Sequence, residues 1–457
     1  MATHRPVVHH IRTCSIAGLL VLGSGSAFAS SFGLIEQSVS GMGTAYAVGS
    51  SGIDDASTVY FNPAGMTRLH GSNLSGGLQI LHLNTDFKGS AEYNLPGSPL
   101  DGAPIDGKRK DNLDTTEAVP SGYMSHQYSD KVWFGLGINA PFGLKTEYSK
   151  KWVGRYQAIK SELLTININP SIAFKFNDNV SIGFGLSAMY ADGELTNAAD
   201  GGLSLAAVPP PAGPLGAPGS DDGRVKLTGD DWGYGFNAGI LLEPTQNTRI
   251  GLHYRSEVDL TLDGHVKVSG LSHPALAAAN GRQKGKLDIT LPDNVSVSGT
   301  YKLNPRWAFM GDVTWTNWSD IDKLVTKLND GSRSVSVWDY DDSWRYSIGT
   351  EFSPSRTWTF RTGVAYDETP IPKDSLRSPR VPGNDRTWLT LGLTYRYTPN
   401  LSFDFGYAHI FVDDPKLKNV SDNHDPTKGQ STGVHSVSGK YDASVDILSA
   451  QVNWRFK

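Results

Sequence analysis

The sequence predicts an all-β fold, a 14-stranded antiparallel transmembrane β-barrel with an N-terminal hatch inside the lumen. Three observations predict it. The chain of 457 residues carries 50 Gly, 17 Phe, 18 Tyr and 11 Trp, yet only 38% of it is hydrophobic and 19% charged, below the usual charged share of about 25%. Segments of period two recur along its length, as in strands with two unlike faces. Beyond the first 29 residues no apolar run approaches the ~20 residues of a transmembrane helix, so strands are the only route across a bilayer.

Residues 1–29 read as an export signal. Arg5 and Arg12 precede the short apolar run Ile16–Leu22, and Ala27-Phe28-Ala29 has the form of a cleavage site. Cys14 is the one cysteine and lies in this leader, with Ile11 where a lipid-attachment leucine would stand. The mature chain is therefore expected to hold no disulfide and to rely on burial or on the membrane. The net charge of −5 grows more acidic without the leader arginines. That balance does not suggest a nucleic acid, whose binding relies on clustered Lys and Arg, and none is expected as a partner.

The strands follow in order. Ile250, Leu252, Tyr254, Ser256, Val258, Leu260 and Leu262 alternate with His253, Arg255, Glu257, Asp259, Thr261 and Asp263. Trp232, Tyr234, Phe236, Ala238, Ile240 and Leu242 alternate with Gly233, Gly235, Asn237 and Gly239, and Leu448, Ala450, Val452, Trp454 and Phe456 share a face near the end. Charges on one face with aromatics at strand ends suit a lipid band outside and a polar lumen inside. Fourteen such segments are expected near 74–83, 118–128, 132–139, 163–176, 180–190, 230–242, 249–263, 286–303, 307–318, 344–352, 358–367, 386–397, 401–411 and 443–456. Short turns such as Ser129-Asp130-Lys131 and Asn304-Pro305 alternate with long connections, 84–117, 140–162, 191–229, 264–285, 319–343, 368–385 and 412–441. That alternation matches short periplasmic turns and long extracellular loops. An even strand number puts both ends on the periplasmic side.

The segment 30–73 is rich in glycine and small polar residues and alternates poorly. A barrel this wide cannot fill its lumen with its own side chains, so the segment is expected inside as a plug, a disordered periplasmic tail being the alternative, with the barrel spanning 74–457.

Ser40-Gly41-Met42-Gly43-Thr44-Ala45-Tyr46, Asp54-Asp55-Ala56-Ser57-Thr58 and Asn62-Pro63-Ala64-Gly65 resemble the N-terminal hatch of FadL/TodX-type outer-membrane transporters. Pro141-Phe142-Gly143-Leu144, Trp152-Val153-Gly154-Arg155-Tyr156, Tyr254-Arg255-Ser256-Glu257-Val258 and Arg361-Thr362-Gly363-Val364-Ala365-Tyr366-Asp367 continue the resemblance over most of the chain. It implies passive uptake of a hydrophobic compound, a long-chain fatty acid or a hydrocarbon. The compound would bind among extracellular loops, then inside the barrel, and leave sideways into the bilayer as the hatch moves. Lateral exit makes physical sense, because re-exposing apolar surface to periplasmic water costs about 25 cal/mol per Å². A monomer in outer-membrane lipid is expected, with no cofactor and no metal.

The resemblance makes Asn62, Pro63 and Ala64 the gate, although Asn-Pro is also an ordinary turn former. Gly135, Gly137 and Pro141 mark the third strand for lateral opening, since Gly and Pro weaken a strand; the glycines could equally be small positions in a Gly-rich wall. Phe142, Leu144, Trp152 and Tyr156 are candidate pocket residues or loop staples. Leu203, Leu205, Val208, Leu271 and Leu276 are candidates for an entry groove. Where fatty-acid relatives place basic residues, this chain has Asn197 and Ser336. A buried carboxylate needs a partner, for which Arg155, Arg255 and Arg361 are the candidates; Arg255 could instead pair with Glu257 or Asp259. No Gly-x-Ser-x-Gly, catalytic triad or metal-ligand spacing is present, which argues against an enzyme. A general porin for polar solutes and a structural or adhesive barrel are the remaining alternatives. The closing Trp454 and Phe456 suit membrane insertion, with Lys457 an unusual last residue.

Overall fold

The computed structural model describes residues 31–207, 215–420 and 433–456; the leader with Cys14, Val208 and Lys457 lie outside them. The barrel strands are β1 (Ser72–Tyr93), β2 (Thr115–Gln127), β3 (Val132–Asn139, resuming as Gly143–Glu147), β4 (Lys160–Lys175), β5 (Val180–Asp200), β6 (Asp222–Thr245) and β7 (Thr248–Arg255, resuming as Val258–Ser269). Then come β8 (Gly281–Leu291, resuming as Asn294–Lys302), β9 (Trp307–Thr316), β10 (Ser343–Phe352), β11 (Trp358–Asp367), β12 (Arg386–Thr398), β13 (Leu401–Val412) and β14 (His435–Phe456). Neighbours pair antiparallel, and β1 pairs β14 from Ser72↔Phe456 to Tyr93↔His435, closing the ring.

All fourteen expected strands are present, but several are longer than expected. Much of the stretches 84–117, 191–229, 264–285 and 412–441 is strand rather than loop. The reason is physical. Above the lipid band the outer face meets water, the apolar-out pattern stops, and the ladder of backbone hydrogen bonds continues without it.

Inside and outside differ as a membrane barrel requires. Phe134, Leu136, Ile166, Ile168, Phe184, Leu186, Leu391 and Leu448 are exposed on the wall, while Gln79, Ser125, Asn167, Asn169, Thr390 and Gln451 are buried. Strand β7 corrects the single-face reading of 250–262. Its two pieces are separated at Ser256-Glu257, and the alternation reverses across the break. Ile250 and Leu252 are exposed, whereas Val258, Leu260 and Leu262 are buried and Glu257, Asp259 and Asp263 are exposed. An extra residue in a strand exchanges its faces, and here it turns three aliphatic side chains into the upper lumen.

Residues 31–71 pack inside the ring as short helices Val39–Met42 and Thr58–Phe61 and tight 3-10 turns Gly49–Ser51 and Pro63–Arg68. Such irregular backbone leaves amide groups unpaired, and wall side chains take them up. Val39 N donates to Gln451 Oε1 (3.1 Å), Ala45 N to Thr390 Oγ1 (3.0 Å), Ser50 N to Ser298 Oγ (2.8 Å) and Ala56 N to Ser75 Oγ (3.1 Å). The buried Asp55 carboxylate accepts from Ser40, Ser57 and Gln451.

Candidate substrate path and its closure

Two cavities lie one above the other in the lumen. The upper is a small apolar cavity of about 40 Å³ between Leu144, Leu163, Leu195, Leu227, Leu262, Leu287, Leu324, Phe32 and Trp338. Reversal of the β7 faces puts Leu262 there. Arg380 is the cationic side chain on its lining; it donates to Gln157 O (2.7 Å) and Ser161 Oγ (3.1 Å).

The lower cavity, about 130 Å³, is mixed in character. Tyr46, Tyr60, Phe61, Phe142 and Trp318 line it with His253, Arg255, Asp312, Arg345 and Asp367. Phe32 stands between the two, edge-on to Trp318 at 4.9 Å and near Phe142 and Trp338 at 6.2 and 6.3 Å.

The wall beside this aromatic cluster is interrupted. Strand β2 pairs with β3 only from Gly122↔Ile138 to Gln127↔Trp133, although β2 itself continues up to Thr115 beside β1. Strand β3 breaks at Ala140, Pro141 and Phe142, and resumes one residue out of register against β4. Proline lacks an amide donor, which suits such a break. The inner segment occupies the orphaned edge. Leu34 N donates to Pro141 O (2.8 Å), Gly143 N to Phe32 O (2.9 Å) and Gln37 Nε2 to Ala140 O (2.7 Å). Gly33 and Phe142 face each other as an antiparallel bridge, and Tyr123 OH donates to Gln37 O (2.9 Å). Residues 32–37 thus act as a short strand laid into a gap in the barrel.

Within that short strand Glu36 is buried, and its Oε2 has no hydrogen-bond partner. Burial pushes its carboxyl up from 4.5 to about 7 against the pull of Arg386 and Arg345. The Gln79 amide donates to its backbone carbonyl.

The structure redistributes the residues expected to form the site. Asn62, Pro63 and Ala64 do not lie at the β3 break. Asn62 Nδ2 donates to Ser50 O (2.7 Å) and Ile240 O (3.0 Å), and its Oδ1 accepts from Ala64 N (3.0 Å). That contact needs glycine in the wall. A Cβ on Gly239 would come within 2.1 Å of Asn62 Oδ1, and one on its partner Gly183 within 2.3 Å of Ala64 N. The turn is an anchor on β5 and β6. Gly135 and Gly137 lie within an unbroken stretch of β3; a Cβ on Gly135 would meet Met66 Sδ at 2.5 Å and one on Gly137 would meet the Tyr123 ring at 3.2 Å. Pro141 alone of the three sits in the interruption.

Phe142 lines the lower cavity and Leu144 the upper. Trp152 does neither. It is fully buried, stacks on Tyr148 at 3.8 Å and meets Phe87 edge-on at 5.2 Å, in a separate cluster beneath the extracellular loops. Tyr156 belongs to the same cluster and donates to Asp222 Oδ1 (2.7 Å). Leu203 packs there as well. Leu205 is buried against the Gly216 backbone, and Leu271 and Leu276 sit over Gly201, all within the loop cap.

The three arginines separate cleanly. Arg155 is ion-paired to Asp222 at 2.7 Å, and Arg361 to Glu351 at 2.9 Å. Arg255 is buried without a carboxylate in ion-pair range among the described residues; Glu257 and Asp259 face outward, so the expected pairing with them does not form. Its Nη2 donates to Tyr60 O (2.8 Å), and its guanidinium lies 4.3 Å from the Tyr60 ring centre. Sequence reasoning missed its counterpart, Arg345, on β10. Arg345 Nη2 donates to Ala45 O (2.8 Å), the guanidinium approaches the Tyr46 and Trp388 rings at 5.7 and 5.5 Å, and Nε and Nη1 have no partner. Between the two arginines Tyr46 stacks on Phe61 at 5.6 Å, and Phe61 meets Tyr60 edge-on at 5.0 Å. A row of three rings on the inner segment is therefore held at each end by a wall cation, each contact worth ~0.5–2 kcal/mol.

A strand edge left unpaired by the wall is thus covered by the chain's own N-terminal segment. The family model described as outer membrane protein transport protein (OMPP1/FadL/TodX) matches residues 20–456. The long-chain fatty acid transport protein of Escherichia coli O6:H1 is 33% identical over 417 residues, covering 87% of this chain and 90% of that protein. The 47 kDa outer membrane protein of Pasteurella multocida is 33% identical over 404 residues, covering 86% and 90%. Among solved structures, a Pseudomonas aeruginosa FadL homologue superposes with a TM-score of 0.82 at 25% identity, covering 93% of this chain and all of that one. The toluene transporter TodX of Pseudomonas putida shares the fold, with a TM-score of 0.67 at 16% identity, covering 94% and 100%. The chain belongs to the FadL/TodX family of outer-membrane transport proteins, a fourteen-stranded barrel of the outer membrane.

Proposed function

We propose that this protein carries long-chain fatty acids passively into the outer membrane and releases them sideways through the interruption in β3. Residues 30–73 serve as the hatch. Within it, 32–37 form the moving closure and Asn62-Pro63-Ala64 the fixed anchor. The observation that carries the reading is the orphaned β3 edge paired to Phe32–Gln37. Displacing those residues removes Phe32 from between the cavities and opens the wall in one movement.

Apolar surface favours entry of a chain into the upper cavity at about 25 cal/mol per Å². A carboxylate brought into the lower cavity meets Arg255, which lacks an acidic partner among the described residues. The names of the Escherichia coli O6:H1 and Salmonella typhi relatives, long-chain fatty acid transport proteins, support the same substrate class. Uptake of neutral aromatic or aliphatic hydrocarbons is the second reading, favoured by the apolar lining of the upper cavity. The protein acts as a monomer, without a cofactor.

Titrating detergent-purified protein with oleate and methyl oleate at one pH and salt separates these readings. Oleate should bind at least tenfold tighter, about 1.4 kcal/mol, and Arg255→Gln should bring the two ligands to parity. Equal binding of both by the unmodified protein contradicts the fatty-acid reading and favours neutral hydrocarbons. Binding of neither ends the long-chain reading.

A further inference from the structure

A second binding surface lies on the outside of the barrel, above the lipid band. Tyr190 on β5 and Trp232 on β6 sit together near the upper edge of that band, 5.4 Å apart. Beyond them β5 to β8 project as long strands. Their inward residues, Leu227, Val266 and Leu287, join the apolar core. The alternate positions face outward.

Cations line up there across the strands. Lys226 on β6 is directly opposite Lys267 on β7, and Lys267 is directly opposite Arg282 on β8. One rung nearer the membrane on the same face, His265 is opposite Lys284. Like charges placed opposite each other on neighbouring strands repel and destabilise the pairing. Some of the local charge is neutralised. Lys226 pairs with Glu194 at 2.8 Å, Lys286 with Asp263 at 2.9 Å and Lys327 with Asp288 at 2.5 Å. Lys267, Arg282 and Lys284 have no ion pair among the described residues. The row opens into a surface depression lined by Lys226, His265, Lys267, Asn280 and Arg282.

We propose that this depression binds the phosphorylated core of an outer-leaflet glycolipid. An outer-membrane barrel is surrounded on this side by such lipids, and phosphate oxygens match the fork of an arginine and the point charge of a lysine. Height selects the group. Lys226 lies six residues above Trp232 on β6, which at ~3.3 Å per residue and a tilt of ~40° is roughly 15 Å. That level belongs to phosphates on the core sugars rather than to those at the acyl chains. Binding neutralises the cation row and fixes the protruding strands, and it is independent of what passes through the lumen.

The test uses folded protein in detergent and native mass spectrometry. The probes are rough lipopolysaccharide with phosphorylated heptoses, the same lipid after phosphatase treatment, and phosphatidylglycerol vesicles as a nonspecific anionic surface. The intact lipid should bind at least tenfold tighter than the dephosphorylated lipid, and Lys267→Gln with Arg282→Gln should remove that preference. Oleate affinity, read in the same preparation, should stay unchanged and so report an intact barrel. Equal retention of the dephosphorylated lipid, undiminished preference in the double variant, or an equal loss of phosphatidylglycerol and glycolipid binding would each overturn the proposal.

Discussion

At the scale of single residues, the contrast among arginines matters most. Arg155 and Arg361 are tied to acids, whereas Arg255 holds a hatch tyrosine through a carbonyl and a ring face. Arg155→Ala is expected to loosen the loop cap while leaving the ratio of oleate to methyl oleate affinity unchanged, in contrast to Arg255→Gln. A change in that ratio for Arg155→Ala would relocate the carboxylate partner. Glu36 gives the closure a pH dependence whose sign is fixed by its raised carboxyl. The docked segment holds a proton that a solvated carboxyl, near 4.5, would already have released. Docking is strongest below pH 4.5, weakens as pH rises toward about 7, and is weakest above it, a span on the order of 3 kcal/mol. Electron paramagnetic resonance of a nitroxide on Leu34→Cys should show more undocked segment at pH 8 than at pH 5. Adding Glu36→Gln should flatten the difference; its persistence would assign the pH effect to another group.

At the scale of elements, glycine-lined wall and polar hatch are fitted to each other. Asn62→Ala removes donors to Ser50 O and Ile240 O and should weaken hatch docking by ~1–3 kcal/mol. Gly239→Ala drives a methyl into the same amide. Both variants should become sensitive to protease between residues 50 and 70 while the strands remain protected. Equal resistance to the parent would mean that the anchor is dispensable. The elements also show what was legible. Strand number and turn order could be read because each membrane crossing repeats apolar-out alternation. Strand ends could not, since above the bilayer nothing apolar marks them. The reversal in β7 was hidden for a related reason. Period two runs unbroken from Ile250 to Leu262 in the sequence, and only the register shows that Ser256-Glu257 exchanges the faces. Phe32, Arg345 and Glu36 gain their roles from partners about 110 to 350 positions away, which no local pattern encodes. Asn62 was recognisable as a motif, but its place in the wall was not.

At the scale of the whole molecule, the barrel is a closed ring whose interruption at β3 is filled by its own N-terminal segment. Deleting residues 31–71 should convert a nearly nonconducting protein into an open pore, because the polar inner wall would then face a water-filled lumen. Planar-bilayer recording checks this, and an unchanged conductance would mean that the extracellular loops carry the seal. The hatch and β3 can also be joined covalently. Gly33 and Phe142 are opposed with Leu34 N to Pro141 O and Gly143 N to Phe32 O on either side, the close, non-hydrogen-bonded arrangement that suits a disulfide. The most direct measurement is uptake of radiolabelled oleate by cells producing Gly33→Cys/Phe142→Cys, before and after mild reduction. Lateral release through the β3 interruption predicts little uptake while the disulfide is intact and recovery on reduction. Full uptake with the segment locked in place would contradict it.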